Sequence, residues 1–80
     1  MKCRIKAFGI SREIVGGRFL DWEMPDGSTV SDLKDDLFKK YPSFSELRSV
    51  YIAINNEYAD EHVTLKEGDE IALIPPVSGG

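Results

Sequence analysis

The sequence predicts an α+β domain in which one amphipathic helix covers one face of a mixed β-sheet. Residues 2–8 and 70–74 alternate between two kinds of side chain, as strands with two different faces do. Residues 30–41 instead carry apolar side chains at helical spacing. This helix has the only apolar stripe wide enough to seal one face of a sheet. The 80 residues are therefore expected to form one small domain.

The first predicted strand, residues 2–8, is followed by a short helical turn. Its odd positions are apolar, while its even positions are charged except for Phe8, so one face of the strand is expected to be solvated. Ser11 is expected to cap a helical turn over residues 12–15, and Gly16 to provide the left-handed conformation that ends it.

A second strand and the main helix come next. Residues 18–24 alternate in the same way and end at a Pro-Asp-Gly turn. Thr29 and Asp32 then form a capping-box-like pair, and apolar residues continue along one helical face. That face consists of Val30, Leu33, Leu37, Phe38 and Tyr41. Pro42 is expected to end the helix.

Three more strands are predicted in the second half of the chain. Apolar residues alternate over 50–54, an Asn-Asn pair favours a turn, and residues 57–59 form a short strand. A Glu-Gly-Asp turn precedes the last strand, residues 70–74. The order strand, strand, helix, strand, short strand, strand is that of the β-grasp, or ubiquitin-like, fold. The first and last strands of this fold typically lie side by side in the centre of the sheet.

Composition excludes several classes of function. The formal net charge of −4 argues against nucleic-acid binding, because phosphate backbones require a basic surface. No apolar stretch approaches the roughly 18 residues that cross a bilayer, and no secretory signal is apparent, so we expect a cytoplasmic protein without a membrane role. Cys3 is expected to be a small buried residue, and His62 to lie in a solvated loop without a metal.

Several segments resemble the MoaD-type small subunit of molybdopterin synthase, in the ThiS/MoaD sulfur-carrier family. They are residues 11–16, 26–30, 37–42, 53–55 and 67–80. The last of them is the most specific, because it ends in Gly79-Gly80, and a terminal Gly-Gly arises by chance in roughly 0.5% of chains at average glycine usage. The resemblance implies a β-grasp domain over residues 1–75 and a flexible tail over residues 76–80.

The resemblance also implies that the C-terminal carboxylate of Gly80, next to Gly79, is the reacting group. A ubiquitin-activating-like enzyme of the MoeB type would adenylate Gly80 with ATP, and a sulfurtransferase would supply persulfide sulfur that displaces AMP. The product is a thiocarboxylate, whose sulfur the MoaE-type large subunit uses to build the dithiolene of molybdopterin. The chain itself would bind no cofactor and no metal, and would be inactive alone.

The residues of the tail suit this role on physical grounds. The sequence contains no nucleotide-binding loop, so the carboxylate must be activated in the active site of another protein. Five residues beyond Pro75 extend at most about 15–18 Å. Pro75 and Pro76 fix their φ angles and stiffen the base of the tail. Gly79 and Gly80 have no Cβ and fit a narrow channel.

Strand alternation also predicts a docking patch near the base of the tail. Phe8 and Ile74 are large apolar residues on the polar faces of strands expected to be adjacent, and Tyr58 is a candidate to join them. The resemblance places apolar docking residues at the same three positions. It further implies that Arg12, and the lead-in residues Pro75, Pro76 and Val77, contact partner proteins. Trp22 and Tyr51 are instead expected to pack within the fold.

Other functions stay open at this point. A sulfur carrier for thiamine or cysteine synthesis would share the fold, although the helical segment at 11–17 and the Pro-Pro-Val-Ser lead-in favour the molybdopterin carrier over thiamine carriers. A ubiquitin-like modifier, joined to lysines through Gly80, would share the activation chemistry, so the sequence separates it poorly from a carrier. A β-grasp adaptor that makes no use of its tail is the most distant alternative.

Overall fold

A computed structural model describes residues 1–47 and 49–75 of the chain. In chain order the elements are β1 (Lys2–Ala7), α1 (Ile10–Val15), β2 (Phe19–Glu23), α2 (Val30–Lys40), a 3₁₀ helix (Pro42–Glu46), β3 (Tyr51–Ile54), β4 (Glu57–Tyr58) and β5 (Glu70–Ile74). The predicted element order is confirmed, and the 3₁₀ helix is an addition to it. Within the described ranges, no helix has the length and hydrophobicity of a membrane span.

The five strands form one mixed sheet in the order β2-β1-β5-β3-β4. The two terminal strands, β1 and β5, are parallel neighbours in the centre, and every other pair in the sheet is antiparallel. This is the predicted β-grasp fold. Because β5 is central, its C-terminal end lies in the middle of the sheet rather than at an edge.

Helix α2 begins at the predicted capping box. The backbone N–H of Asp32 donates to Thr29 Oγ1 at 3.3 Å, and the N–H of Thr29 donates to Asp32 Oδ2 at 2.9 Å, so two backbone donors at the helix start are satisfied. After Lys40 the backbone changes to the 3₁₀ helix, with Pro42 in its first turn. This short helix buries Phe44, whose ring stacks on that of Phe38 with centroids 5.8 Å apart.

The hydrophobic core lies between α2 and one face of the sheet, which we call the inner face. Each of its members is at most 5% exposed, and they come from β1, β3, β5, α2, the 3₁₀ helix and the loops. They are Cys3, Ile5, Met24, Val30, Leu33, Leu37, Phe44, Val50, Ile52, Leu65, Ile71 and Leu73. Trp22 packs against this cluster, as predicted. Transfer of this apolar surface out of water is the main stabilising contribution.

The prediction that Ser11 caps α1 is wrong. The helix begins two residues earlier than predicted, at Ile10, and the N-cap position is Gly9, which makes no side-chain capping bond. Ser11 is fully buried, and its hydroxyl donates to the backbone carbonyl of Phe8 and lies 3.4 Å from that of Leu73, instead of accepting from a backbone N–H. The end of α1 is as predicted, since Gly16 is left-handed with φ of 85°.

Candidate docking surface and tail root

The last described residues of the chain, Leu73, Ile74 and Pro75, form what we call the tail root. Leu73 lies in the parallel ladder with β1, paired with Ala7, and its carbonyl accepts a 3.3 Å hydrogen bond from the backbone N–H of Phe8. Leu73 is buried, whereas Ile74 and Pro75 are half-buried. The tail root is therefore anchored on the inner side and reaches the surface beside Phe8.

The loop between β1 and α1 lies against the tail root. Gly9 has φ of 55° and ψ of −134°, a backbone conformation that residues with a Cβ rarely adopt. A Cβ at Gly9 would lie 3.2 Å from Cγ of Pro75, which is tighter than an ordinary van der Waals contact. The absence of a side chain at Gly9 thus allows the loop to approach Pro75 closely.

Phe8, Tyr58 and Ile74 lie on one surface, as predicted. They line a shallow groove of about 310 Å³ on the face of the sheet opposite α2, which we call the outer face. Phe8 is 36% exposed and Tyr58 is 71% exposed, and the small residues Ala53 and Ala72 lie between them. Large apolar side chains around a floor of small ones can accept an apolar partner surface.

The prediction that Tyr51 packs within the fold is wrong. Tyr51 is 52% exposed, is paired with Ile74 across β3 and β5, and packs edge-on against Tyr58 with ring centroids 5.8 Å apart. The signal was present in the sequence, because Tyr51 alternates with the buried residues Val50 and Ile52. Tyr51 therefore extends the group to four residues, Phe8, Tyr51, Tyr58 and Ile74, which we call the outer patch.

Cationic side chains border the outer patch along β1. Lys6 Nζ lies 5.2 Å from the centroid of the Phe8 ring. The Arg4 guanidinium lies 5.1 Å from the centroid of the Phe19 ring and 3.5 Å from the carboxylate of Asp21. These exposed contacts orient the aromatic rings but contribute little to stability. The patch therefore has an apolar centre with a charged border.

Arg12, a predicted partner contact, lies on α1 beside the end of β1. Its Nε donates to the backbone carbonyl of Ala7 at 3.1 Å, and the residue is exposed. Ala7 precedes Phe8, so Arg12 lies near both the outer patch and the tail root. Its contact with a partner protein stays a prediction.

Cys3 and His62, the one cysteine and the one histidine of the sequence, are not among the residues that line the groove. Cys3 is 3% exposed in the core, as predicted, and burial raises the pKa of its thiol, so the thiol is protonated at neutral pH and unsuited to act as a nucleophile. His62 is exposed, and its backbone N–H donates to Asp60 Oδ1. Over residues 1–47 and 49–75, no three metal-binding side chains are grouped closely enough to hold an ion.

Four predicted site residues, Pro76, Val77, Gly79 and Gly80, lie outside the described residues. The predicted division into a domain over residues 1–75 and a tail over residues 76–80 therefore stays a prediction. The described residues contribute the surface from which that segment starts.

The sheet is mixed, its central strands are parallel, and one helix covers it. With an exposed aromatic patch beside the last strand, these features define a ubiquitin-like β-grasp protein. The sequence profile of the ThiS family matches residues 5–80. The molybdopterin synthase sulfur carrier subunit of Arabidopsis thaliana is 40% identical over 81 residues, covering 100% of this chain and 84% of that protein. The chain belongs to the ThiS family.

Solved structures support the same assignment. SAMP1 from Haloferax volcanii has a TM-score of 0.83 and 29% identity, with 100% of both chains covered. A chain of the complex between subunits 1 and 2 of the molybdopterin-converting factor from Helicobacter pylori has a TM-score of 0.69 and 28% identity, again over 100% of both chains. The fold is therefore shared with a relative that assembles with a second subunit.

Proposed function

We propose that the chain is the sulfur-carrier subunit of a molybdopterin synthase, with the C-terminal carboxylate of Gly80 as the group that is loaded with sulfur. One observation carries the proposal: the Arabidopsis thaliana relative with this name matches the whole chain at 40% identity. The structure supports it physically, because the outer patch lies beside the tail root.

The loading chemistry requires two partner enzymes. The Gly80 carboxylate attacks the α-phosphate of ATP in a MoeB-type adenylating enzyme, and pyrophosphate leaves. A persulfide sulfur held by a sulfurtransferase then attacks the acyl carbon, and AMP leaves. A second thiol cleaves the sulfur–sulfur bond and is oxidised to a disulfide, which frees the thiocarboxylate. A MoaE-type large subunit then takes this sulfur for the dithiolene of molybdopterin.

The chain contributes docking and delivery to these steps rather than acid–base catalysis. Its one cysteine is buried and protonated. Phe8, Tyr58 and Ile74, together with Arg12, would contact the partner, while Pro75, Pro76 and Val77 would pass along the channel that leads to its active site. Apolar residues at the centre of an interface commonly contribute most of the affinity.

The similarity to archaeal proteins raises a second candidate function. Solved relatives of similar fold, from Haloferax volcanii and Methanosarcina acetivorans, are named small archaeal modifier protein 1, so conjugation of Gly80 to lysine amines is the alternative. Carrier and modifier share the adenylate, and they differ only in whether sulfur or an amine attacks it. The names of the curated relatives favour the carrier.

Intact mass spectrometry tests the proposal. The full chain is incubated with ATP, a MoeB-type enzyme and a persulfide source, and the expected product is heavier by the difference between one sulfur and one oxygen atom. A matched chain that lacks only Gly80 should keep its original mass. An unchanged mass of the full chain contradicts the proposal, and a product joined to lysines of other proteins supports the modifier instead.

A further inference from the structure

The hydroxyl of Ser11 joins two segments that are 62 residues apart in the sequence. Ser11 Oγ donates to the backbone carbonyl of Phe8, and it also lies 3.4 Å from the carbonyl oxygen of Leu73. The Leu73 carbonyl accepts from the Phe8 N–H as well. One buried side chain thus bridges the end of β1 and the tail root.

The tail root is also contacted by the loop that precedes α1. Gly9, two residues before Ser11, lies close to Pro75, the next residue but one after Leu73. The backbone N–H of Ser11 donates to the Phe8 carbonyl at 3.1 Å, which keeps Gly9 within a tight turn. The tail root is therefore contacted by α1 and its preceding loop at two positions, Leu73 and Pro75.

Helix α1 has only six residues, and a helix of this length is not stable by itself. Ser11 and Arg12 attach it to the carbonyls of Phe8 and Ala7. In return, the attached helix restrains the place where the chain leaves the sheet. This restraint matters because a segment of five residues spans about 17 Å when it is held extended in the channel of a partner, where a rotation of about 20° at its base would displace its end by about 6 Å.

We propose that Ser11 is a positioning residue for sulfur loading, whose buried hydroxyl fixes the direction in which the tail root leads toward the partner active site. This inference rests on the proposed function. The outer patch determines how tightly the partner is bound, whereas Ser11 determines how often the bound carrier presents its carboxylate correctly.

Ser28 provides a matched control. It is the other buried polar residue in the described part of the chain, and its hydroxyl also donates to the carbonyl three residues earlier, that of Pro25, at 2.7 Å. Ser28 precedes α2 and does not contact the tail root. Ser11→Ala and Ser28→Ala therefore remove comparable hydrogen bonds and should lower the urea midpoint of unfolding similarly.

The test measures pyrophosphate release by the MoeB-type enzyme as a function of the concentration of the full-length carrier. Ser11→Ala is expected to lower kcat by about tenfold, because misplacement of a reacting group is costly, and to leave KM within about twofold. Ser28→Ala should leave both within about twofold. Equal kcat values for the two variants, or a change confined to KM, would overturn the proposal. If Ser11→Ala does not fold, Ser11→Cys keeps a weak donor and should give an intermediate kcat.

Hydrogen exchange of the Phe8 amide provides a readout that needs no partner. This amide donates to Leu73, so Ser11→Ala should accelerate its exchange relative to the wild type, and Ser28→Ala should not. Equal exchange in all three proteins would show that Ser11 does not restrain the root. If the wild type releases no pyrophosphate, the proposed function fails, and the exchange data still decide whether Ser11 restrains the tail root.

Discussion

The inner and outer faces of the sheet are built from the same strands but carry different side chains. On the inner face, Ile5, Ile71 and Leu73 are at most 2% exposed beneath α2. On the outer face, Tyr51 and Tyr58 are 52% and 71% exposed, and within the described residues no helix covers them. The difference indicates a division of roles, in which one face stabilises the domain and the other is left for a partner.

The largest effect expected is on stability, from a substitution at the inner face. Leu33 is 0% exposed on α2, and Leu33→Ala should lower the free energy of unfolding by about 2–5 kcal/mol, through lost apolar burial and the cavity left behind. Tyr58→Ala on the outer face should change it by less than about 1 kcal/mol. Urea unfolding measures both. If the two variants lose similar amounts of unfolding free energy, the claim that the inner face provides most of the stability is contradicted.

The next effect concerns affinity and should arise only at the outer patch. Phe8→Asp is expected to weaken binding to a MoaE-type large subunit at least tenfold, because a charge replaces an apolar contact near the patch centre (roughly 1.4 kcal/mol or more). Val63→Asp is the matched control, since Val63 is 39% exposed, similar to the 36% of Phe8, but its carbonyl accepts from Val30 at the start of α2. Isothermal titration calorimetry should show near-native affinity for Val63→Asp. If both variants lose affinity equally, the outer patch is not the docking surface.

A third effect tests the point where the outer patch meets the tail root. Gly9→Ala should destabilise the fold by about 1–3 kcal/mol, because Ala is strained at positive φ and its Cβ would press on Pro75. Gly27→Ala also has positive φ, at 86°, but open space around the Cβ. It should therefore cost less, and it should leave the NMR signals of Ile74 and Pro75 unchanged. If both variants lose the same free energy of unfolding and neither shifts the NMR signals of Ile74 and Pro75, the close approach of Gly9 to Pro75 is contradicted.

The smallest effect expected is the pH dependence contributed by Cys3 on the inner face. Because burial raises the thiol pKa in the folded protein, the unfolded chain loses this proton first, and the stability contribution of the thiol is lost as pH rises above about 8.5. The difference in unfolding free energy between the wild type and Cys3→Ala should therefore narrow above that pH. If the difference in unfolding free energy between the two proteins stays constant from pH 7 to 10, the raised pKa of the Cys3 thiol is contradicted.

Sequence periodicity was sufficient to predict the main helix, its capping box and the position of the strands. Alternation over β1 and β5 also placed Phe8 and Ile74 on the outer face, because a strand fixes the face of every side chain once one is known to be buried. These features depend on neighbours close in the sequence, so local patterns contain them.

Features that depend on distant contacts were missed. A serine near a helix start can accept a capping bond or donate to a carbonyl, and the contact of Ser11 with the distant carbonyl of Leu73 is not visible in the local sequence. The wrong expectation for Tyr51 has a different origin, because its alternation with the buried residues Val50 and Ile52 already indicates the outer face. The 3₁₀ helix depends on burial of Phe44 beneath α2. The predicted roles of Pro76, Val77, Gly79 and Gly80 stay predictions.

Hydrogen-exchange protection on binding tests the division between the two faces most directly. The full chain would be compared with and without a saturating MoaE-type large subunit, peptide by peptide. We expect slower exchange in peptides that contain Phe8, Tyr51, Tyr58 and Ile74, and unchanged exchange along the exposed side of α2. Protection confined to α2, with the outer patch exchanging as in the free chain, would contradict the account.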